Sequence, residues 1–125
     1  MRLLLDTQII FWTYYESGRL PDQARQMMET AEEVFVSPAS IWEISIKILL
    51  GRINADVQLL ITNILASGVQ ELPVTFNHTL EVARLPQRHT DPFDRLLIAQ
   101  SIHEKLHLVT TDAVLPQYSD LVILV

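Results

Sequence analysis

The chain has 125 residues, 49% of them hydrophobic and 19% charged, enough apolar material for one domain with its own core and too much for a disordered segment. Nine basic against fifteen acidic residues give a formal charge of −6, which excludes broad electrostatic gripping of nucleic acid: any such binding must be local or metal-assisted. The absence of cysteine excludes disulfides, thiolate zinc sites and cysteine nucleophiles.

Along the chain, "RLLLD" at 2–6 is a short apolar run closed by an acid, the pattern of a buried parallel strand whose carboxyl end opens onto a loop. Asp6 also interrupts the N-terminal apolar stretch, so the opening makes a poor signal peptide. No stretch approaches the ~20 apolar residues that span a bilayer. The expectation is a soluble, cytoplasmic protein with no membrane segment. After a helix holding Ile9, Ile10, Phe11 and Trp12, residues 21–31 read as a helix with Pro21 at its first position. "EEVFVS" at 32–37 is the second strand. "SPASIWEISIKILLG" then has Ser37 as N-cap, Pro38 in the first turn and Gly51 as a stop. A helix over 55–68 follows, then a strand in "VQELPV" at 69–74 and a helix in "TFNHTLEVARLP" with apolar residues at 76, 80, 83 and 85. The segment "PQRHTD" at 86–91 is the most polar and breaker-rich, a mobile rim in this reading. A long helix runs from there to about Lys105, and "LHLVTTD" at 106–112 and "LVILV" at 121–125 complete five strands. The alternation predicts an α/β fold, a single domain over 1–125 with a parallel sheet of about five strands covered on both faces.

Ligands of such sheets bind beyond the carboxyl ends of the strands, so the acids there carry the argument. Asp6 ends the first strand, with Thr7 as a neighbouring oxygen donor; alone, it reads equally well as a helix cap. Glu43 lies among Ile41, Trp42, Ile44, Ile46 and Ile48, where a carboxylate approaches a buried surface and needs a partner. Lys47, one turn on, is the ordinary one. In "TDPFD", Asp91 is the N-cap, Pro92 the first helical residue and Asp94 a first-turn acid with no capping duty, which leaves Asp94 for chemistry. Asp112 follows Thr110 and Thr111 after the fourth strand and has a turn reading of its own. Carboxylates gathered at one edge repel unless a cation joins them, and an all-oxygen set suits Mg²⁺ or Mn²⁺.

Other chemistries find little support. Of the histidines at 78, 89, 103 and 107 only the last two are four apart, and His107 belongs to a strand. The sequence lacks a nucleophile elbow, and its glycines at 18, 51 and 68 are isolated, so there is no phosphate loop.

With "LLLDTQIIFW", "SPASIWEISIKILLGRI", "LPQRHTDPFDRLLIAQS" and "LVTTDAVLPQYS" in this order along nearly the whole chain, the sequence resembles the PIN-domain family, in particular the VapC-like toxins of toxin–antitoxin pairs. The resemblance implies a small three-layer α/β/α fold and metal-site acids at Asp6, Glu43, Asp94 and Asp112. It also implies a Mg²⁺-dependent endoribonuclease, a cognate antitoxin and a homodimer. Gln8 departs from the pattern, standing where one branch of the family often has histidine. Lys47 is expected to orient Glu43, Thr7 and Thr111 to bond a ligand carboxylate or water, and Arg88 to touch RNA; Arg95 reads equally as a helix-surface charge. Two other functions compete. A phosphoacceptor receiver domain needs an aspartate ending the third strand and a lysine after the fifth, and the sequence has neither. A non-catalytic partner-binding module would use the apolar excess of 38–67.

Overall fold

A computed structural model describes residues 1–88 and 91–125. Its centre is a five-stranded, wholly parallel sheet in the order β3-β2-β1-β4-β5, formed by β1 (Arg2–Leu5), β2 (Glu33–Val36), β3 (Gln70–Glu71), β4 (His107–Thr110) and β5 (Val122–Leu124). The helices are α1 (Thr7–Tyr15), α2 (Asp22–Thr30), α3 (Pro38–Leu49), α4 (Val57–Ala66), α5 (Phe76–Arg84) and α6 (Pro92–Glu104). No helix among the described residues is long and apolar enough to cross a membrane.

The continuous apolar runs of β1 and β4 follow from burial on both faces. Leu3 and Leu5 point into a core shared with Ile9 and Ile10 of α1, Ala24 of α2, Ile44 of α3, and Leu60 and Ile64 of α4. Leu4 points the other way, with Phe35, Leu108 and Val122, against Leu97, Ile98 and Ala99 of α6 and Leu85 after α5. The result is a three-layer α/β/α arrangement with α1–α4 on one face and α5–α6 on the other. Leu3, Leu4 and Leu5 are fully buried, and each such side chain is worth about 1.5–3 kcal/mol of transfer free energy.

Several elements differ in detail from the sequence expectation. The third strand shrinks from 69–74 to Gln70–Glu71, because it pairs with β2 alone and Pro73 supplies no N–H to continue the ladder. Pro21 stands one residue before α2 as its N-cap residue. In α5 the apolar pattern points outward: Phe76 is 92% exposed and Leu80 51%, while His78 is buried. His78 turns inward because its Nδ1 accepts from the Thr75 N–H and its Nε2 pairs with Glu104 Oε1 at 3.2 Å. The proposed rim at 86–91 includes His89 and Thr90, which lie outside the described residues. Arg95 is more than a surface charge. Its guanidinium donates to the carbonyls of Val82, Leu85 and Pro86, fastening the end of α5 to α6 with a cation at a helix C-terminus.

Candidate functional site

In the order β3-β2-β1-β4-β5 the chain leaves β1 towards β2 and later returns on the other side to β4, so the crevice beyond β1 and β4 is the topological switch point where open α/β sheets bind ligands. Asp6 stands there. Leu5 pairs with Val109, which brings Asp6 level with Thr110. The Thr110 hydroxyl donates to Asp6 Oδ2 at 2.6 Å, and the Thr7 N–H donates to Oδ1 at 2.7 Å. Asp6 is nonetheless almost wholly enclosed, and burial pushes its carboxyl above the ordinary value near 3.8. The two hydrogen bonds oppose that rise, while the negative charges of Glu43 and Asp112 add to it. Both carboxylates are thus near enough to be felt at Asp6.

Each acid reaches this place by a local device. Ser37 caps α3, its Oγ accepting from the Ala39 N–H, and Pro38 occupies the first turn. One turn on, Ser40 accepts a 3.0 Å hydrogen bond from the Thr7 hydroxyl, joining the start of α1 to the start of α3. Glu43 follows on that anchored helix, with Oε2 3.3 Å from Lys47 Nζ, as the spacing predicted. Glu43 Oε1 is buried and has no hydrogen-bond partner among the described residues. Asp112 lies two residues past β4; its N–H donates to the Thr110 hydroxyl at 3.0 Å and its carboxylate accepts from the Val114 N–H at 2.9 Å. Asp91 is the cap of α6, accepting from the N–H groups of Phe93 and Asp94 at 2.9 and 3.1 Å. Asp94 is in the first turn, half-buried, and the Phe93 ring beside it packs edge-on against Trp42 of α3 at 5.2 Å.

Thr110 is the residue that sequence reasoning missed. Its hydroxyl donates to Asp6 and accepts from the backbone of Asp112, a bridge between two of the acids. Thr111 was the expected donor, and only the strand register distinguishes the two. Ser40 was likewise unassigned. Arg88 is exposed, with Nη1 3.5 Å from the Gln117 carbonyl.

The donor chemistry suits a hard cation: carboxylate oxygens, one of them buried and unpartnered, and no sulfur. The side chains themselves are directed to protein donors, Asp6 to Thr7 and Thr110, Glu43 to Lys47 and Asp112 to Val114. Accordingly, no group of three His, Asp or Glu among the described residues closes on a single point.

The PIN domain family model matches residues 3–121. This chain belongs to the PIN-domain family. The PIN chain is 31% identical over 112 residues to Ribonuclease VapC22 of Mycobacterium tuberculosis H37Rv, a match covering 88% of this chain and 86% of that protein. Its fold is similar to a chain in the crystal structure of VapBC2 from Rickettsia felis bound to a promoter DNA fragment, with a TM-score of 0.74 at 16% identity over 100% of this chain and 98% of that one. A toxin–antitoxin complex from Klebsiella pneumoniae gives 0.68 at 18% identity, covering 97% and 95% of the two chains. At such identities the likeness concerns the three-layer fold alone.

Proposed function

We propose that this PIN domain is a divalent-metal-dependent endoribonuclease, the toxin of a VapC-type toxin–antitoxin pair, acting in the cytoplasm as a single domain. The observation that carries this reading is the buried Asp6 carboxylate at the switch point, raised in pKa by burial and further by Glu43 and Asp112. Such a group is costly unless a cation compensates it. The relationship to Ribonuclease VapC22 supports RNA as the substrate class.

Asp6, Glu43, Asp94 and Asp112 are the acids that would hold the metal, Mg²⁺ or Mn²⁺. When bound, the ion lowers the pKa of water to make a nucleophile and offsets charge growing on the phosphate. The chain's own residues do the rest. Thr110 and the Thr7 N–H fix the Asp6 carboxylate, Lys47 holds one oxygen of Glu43 and leaves the other unpartnered, and Asp91 secures the backbone from which Asp94 projects. Asp94→Asn should abolish Mg²⁺-dependent cleavage of RNA while leaving the circular dichroism spectrum and melting temperature near those of the parent. Undiminished cleavage by that variant refutes the assignment.

A cognate antitoxin and a second copy of the chain are the proposed partners. The available surface is the outer face of α3 and α4, where an apolar groove of about 410 Å³ is lined by Ile41, Trp42, Ile61 and Leu65 among others. Trp42 and Leu65 are 63% and 58% exposed on its rim, a pattern suited to an apolar helix laid in a groove.

A further inference from the structure

Beside the acids lies a second cavity, of about 250 Å³ and polar, that the metal chemistry leaves unused. Its walls include Thr7 and Gln8 in the first turn of α1, and Lys47, Arg52 and Arg19. Three of the nine basic residues of an acidic chain therefore meet at one place. The other cations are occupied or scattered: Arg2 pairs with Glu33, Arg84 with Glu81, and Arg95 holds the end of α5. Within the cavity, Lys47 is 3.3 Å from Glu43, and Arg19 is 3.1 Å from Glu16 with its guanidinium over the Trp12 ring. Arg52 has no acidic partner within ion-pair distance among the described residues. Half-buried Gln8 adds an amide.

We propose that this cavity is a subsite for a backbone phosphate of the RNA, one that is not cleaved, held by Arg52, Arg19 and the Gln8 amide. The inference rests on the ribonuclease reading and adds to it the place where the strand continues beyond the acids. Thr7 connects the two sites, since its N–H holds Asp6 while the residue itself lines the cavity. A protein of charge −6 thereby meets a polyanion through a small basic pocket instead of a broad basic face. Gln8 also acquires a role that its departure from the common histidine had left open: a neutral donor to a phosphate oxygen.

The test uses the full chain carrying Asp94→Asn, in Mg²⁺, with fluorescein-labelled uridylate oligomers of three and twelve nucleotides read by anisotropy across a salt series. Arg52→Ala and Arg19→Ala should each weaken 12-mer binding about three- to tenfold, and the double alanine variant should flatten the slope of log K against log salt by about 0.7, the increment for one phosphate contact on a single strand. Arg52→Glu should weaken binding more than Arg52→Ala, and the 3-mer, too short to occupy both sites, should respond to neither. Arg84→Ala on α5 is the control and should leave both oligomers unaffected. If the parent binds the 12-mer and the Arg19/Arg52 double alanine variant matches it in affinity and slope, the subsite is wrong and the nuclease reading survives. Loss of antitoxin binding with RNA binding intact would assign the cavity to a protein carboxylate instead, also overturning the proposal. A parent that binds no oligomer overturns the subsite, and the nuclease reading is then judged separately by whether the chain with Asp94 intact cleaves RNA.

Discussion

Burial raises the Asp6 pKa even though Thr110 and the Thr7 N–H both stabilise its charged form. Between the ordinary value near 3.8 and the higher folded value, the native chain binds more proton than the unfolded one, so stability falls as pH rises through that window and the penalty is complete above it. Asp6→Asn removes the charge and keeps an acceptor for Thr110. In metal-free buffer at pH 7 it should therefore melt above the parent, with the gain shrinking as the pH is lowered towards 4; a pH series of calorimetric scans checks this. The same variant should have no metal-dependent cleavage. Thr110→Val keeps the shape of the side chain but deletes the bridge between Asp6 and Asp112. Removing an outer hydrogen-bond partner of this kind costs about 10–100-fold in metal affinity or activity, and titration with Mn²⁺ monitored calorimetrically should reveal it. None of this was visible in "LVTTD", where both threonines look alike. The parallel register of β1 with β4 selects Thr110.

At the scale of elements, capping made the starts of α1, α3 and α6 legible, at Asp6, Ser37 and Asp91, whereas the caps at Asp56 and Thr75 emerged only with the structure. Asp6, Ser37, Asp56, Thr75 and Asp91 each accept a hydrogen bond from a backbone N–H of the helix that follows. Such local chemistry can be read from short-range sequence. Helix ends were legible where glycine stands, since Gly51 and Gly68 both adopt positive φ, 72° and 83°. The end of α6 was less marked, because Lys105 takes the same left-handed conformation at φ 57° without being glycine. Lys105→Gly should relieve that strain and stabilise the fold by about 0.5–1 kcal/mol, the αL cost of a side chain less the extra chain entropy of glycine. Urea unfolding measures it. The face of α5 was misread for the opposite reason. Its apolar residues at 76, 80 and 83 have helical spacing, yet the buried position goes to His78 through partners on the Thr75 backbone and on α6. Hydrogen bonds to a different helix override a local apolar pattern.

For the whole molecule, charge and apolar surface are unevenly distributed. Basic residues gather at the cavity beside Gln8, and large apolar side chains stay exposed along α3 and α4, with Leu49 86% and Leu65 58% exposed. If α3 and α4 form the partner surface, Leu65→Lys combined with Leu49→Lys should weaken the antitoxin complex at least about tenfold, as the loss of a buried apolar anchor does. The melting temperature of the chain alone should change little, because neither side chain is in the core. Sedimentation velocity with and without the antitoxin is the measurement.

The sequence by itself determined the order of elements, the two-sided burial of the sheet, the helix caps at Asp6, Ser37 and Asp91 and the acids at strand and helix ends. These are encoded by neighbours within about one helical turn or one strand. The pairing order of the strands was decided only in three dimensions, and with it came the switch point beside Asp6, the choice of Thr110 over Thr111, the Thr7–Ser40 link that sets α3, and the meeting of Arg19, Lys47 and Arg52. Each of these joins residues distant in sequence, and their partners are fixed by which surfaces the folded core brings together.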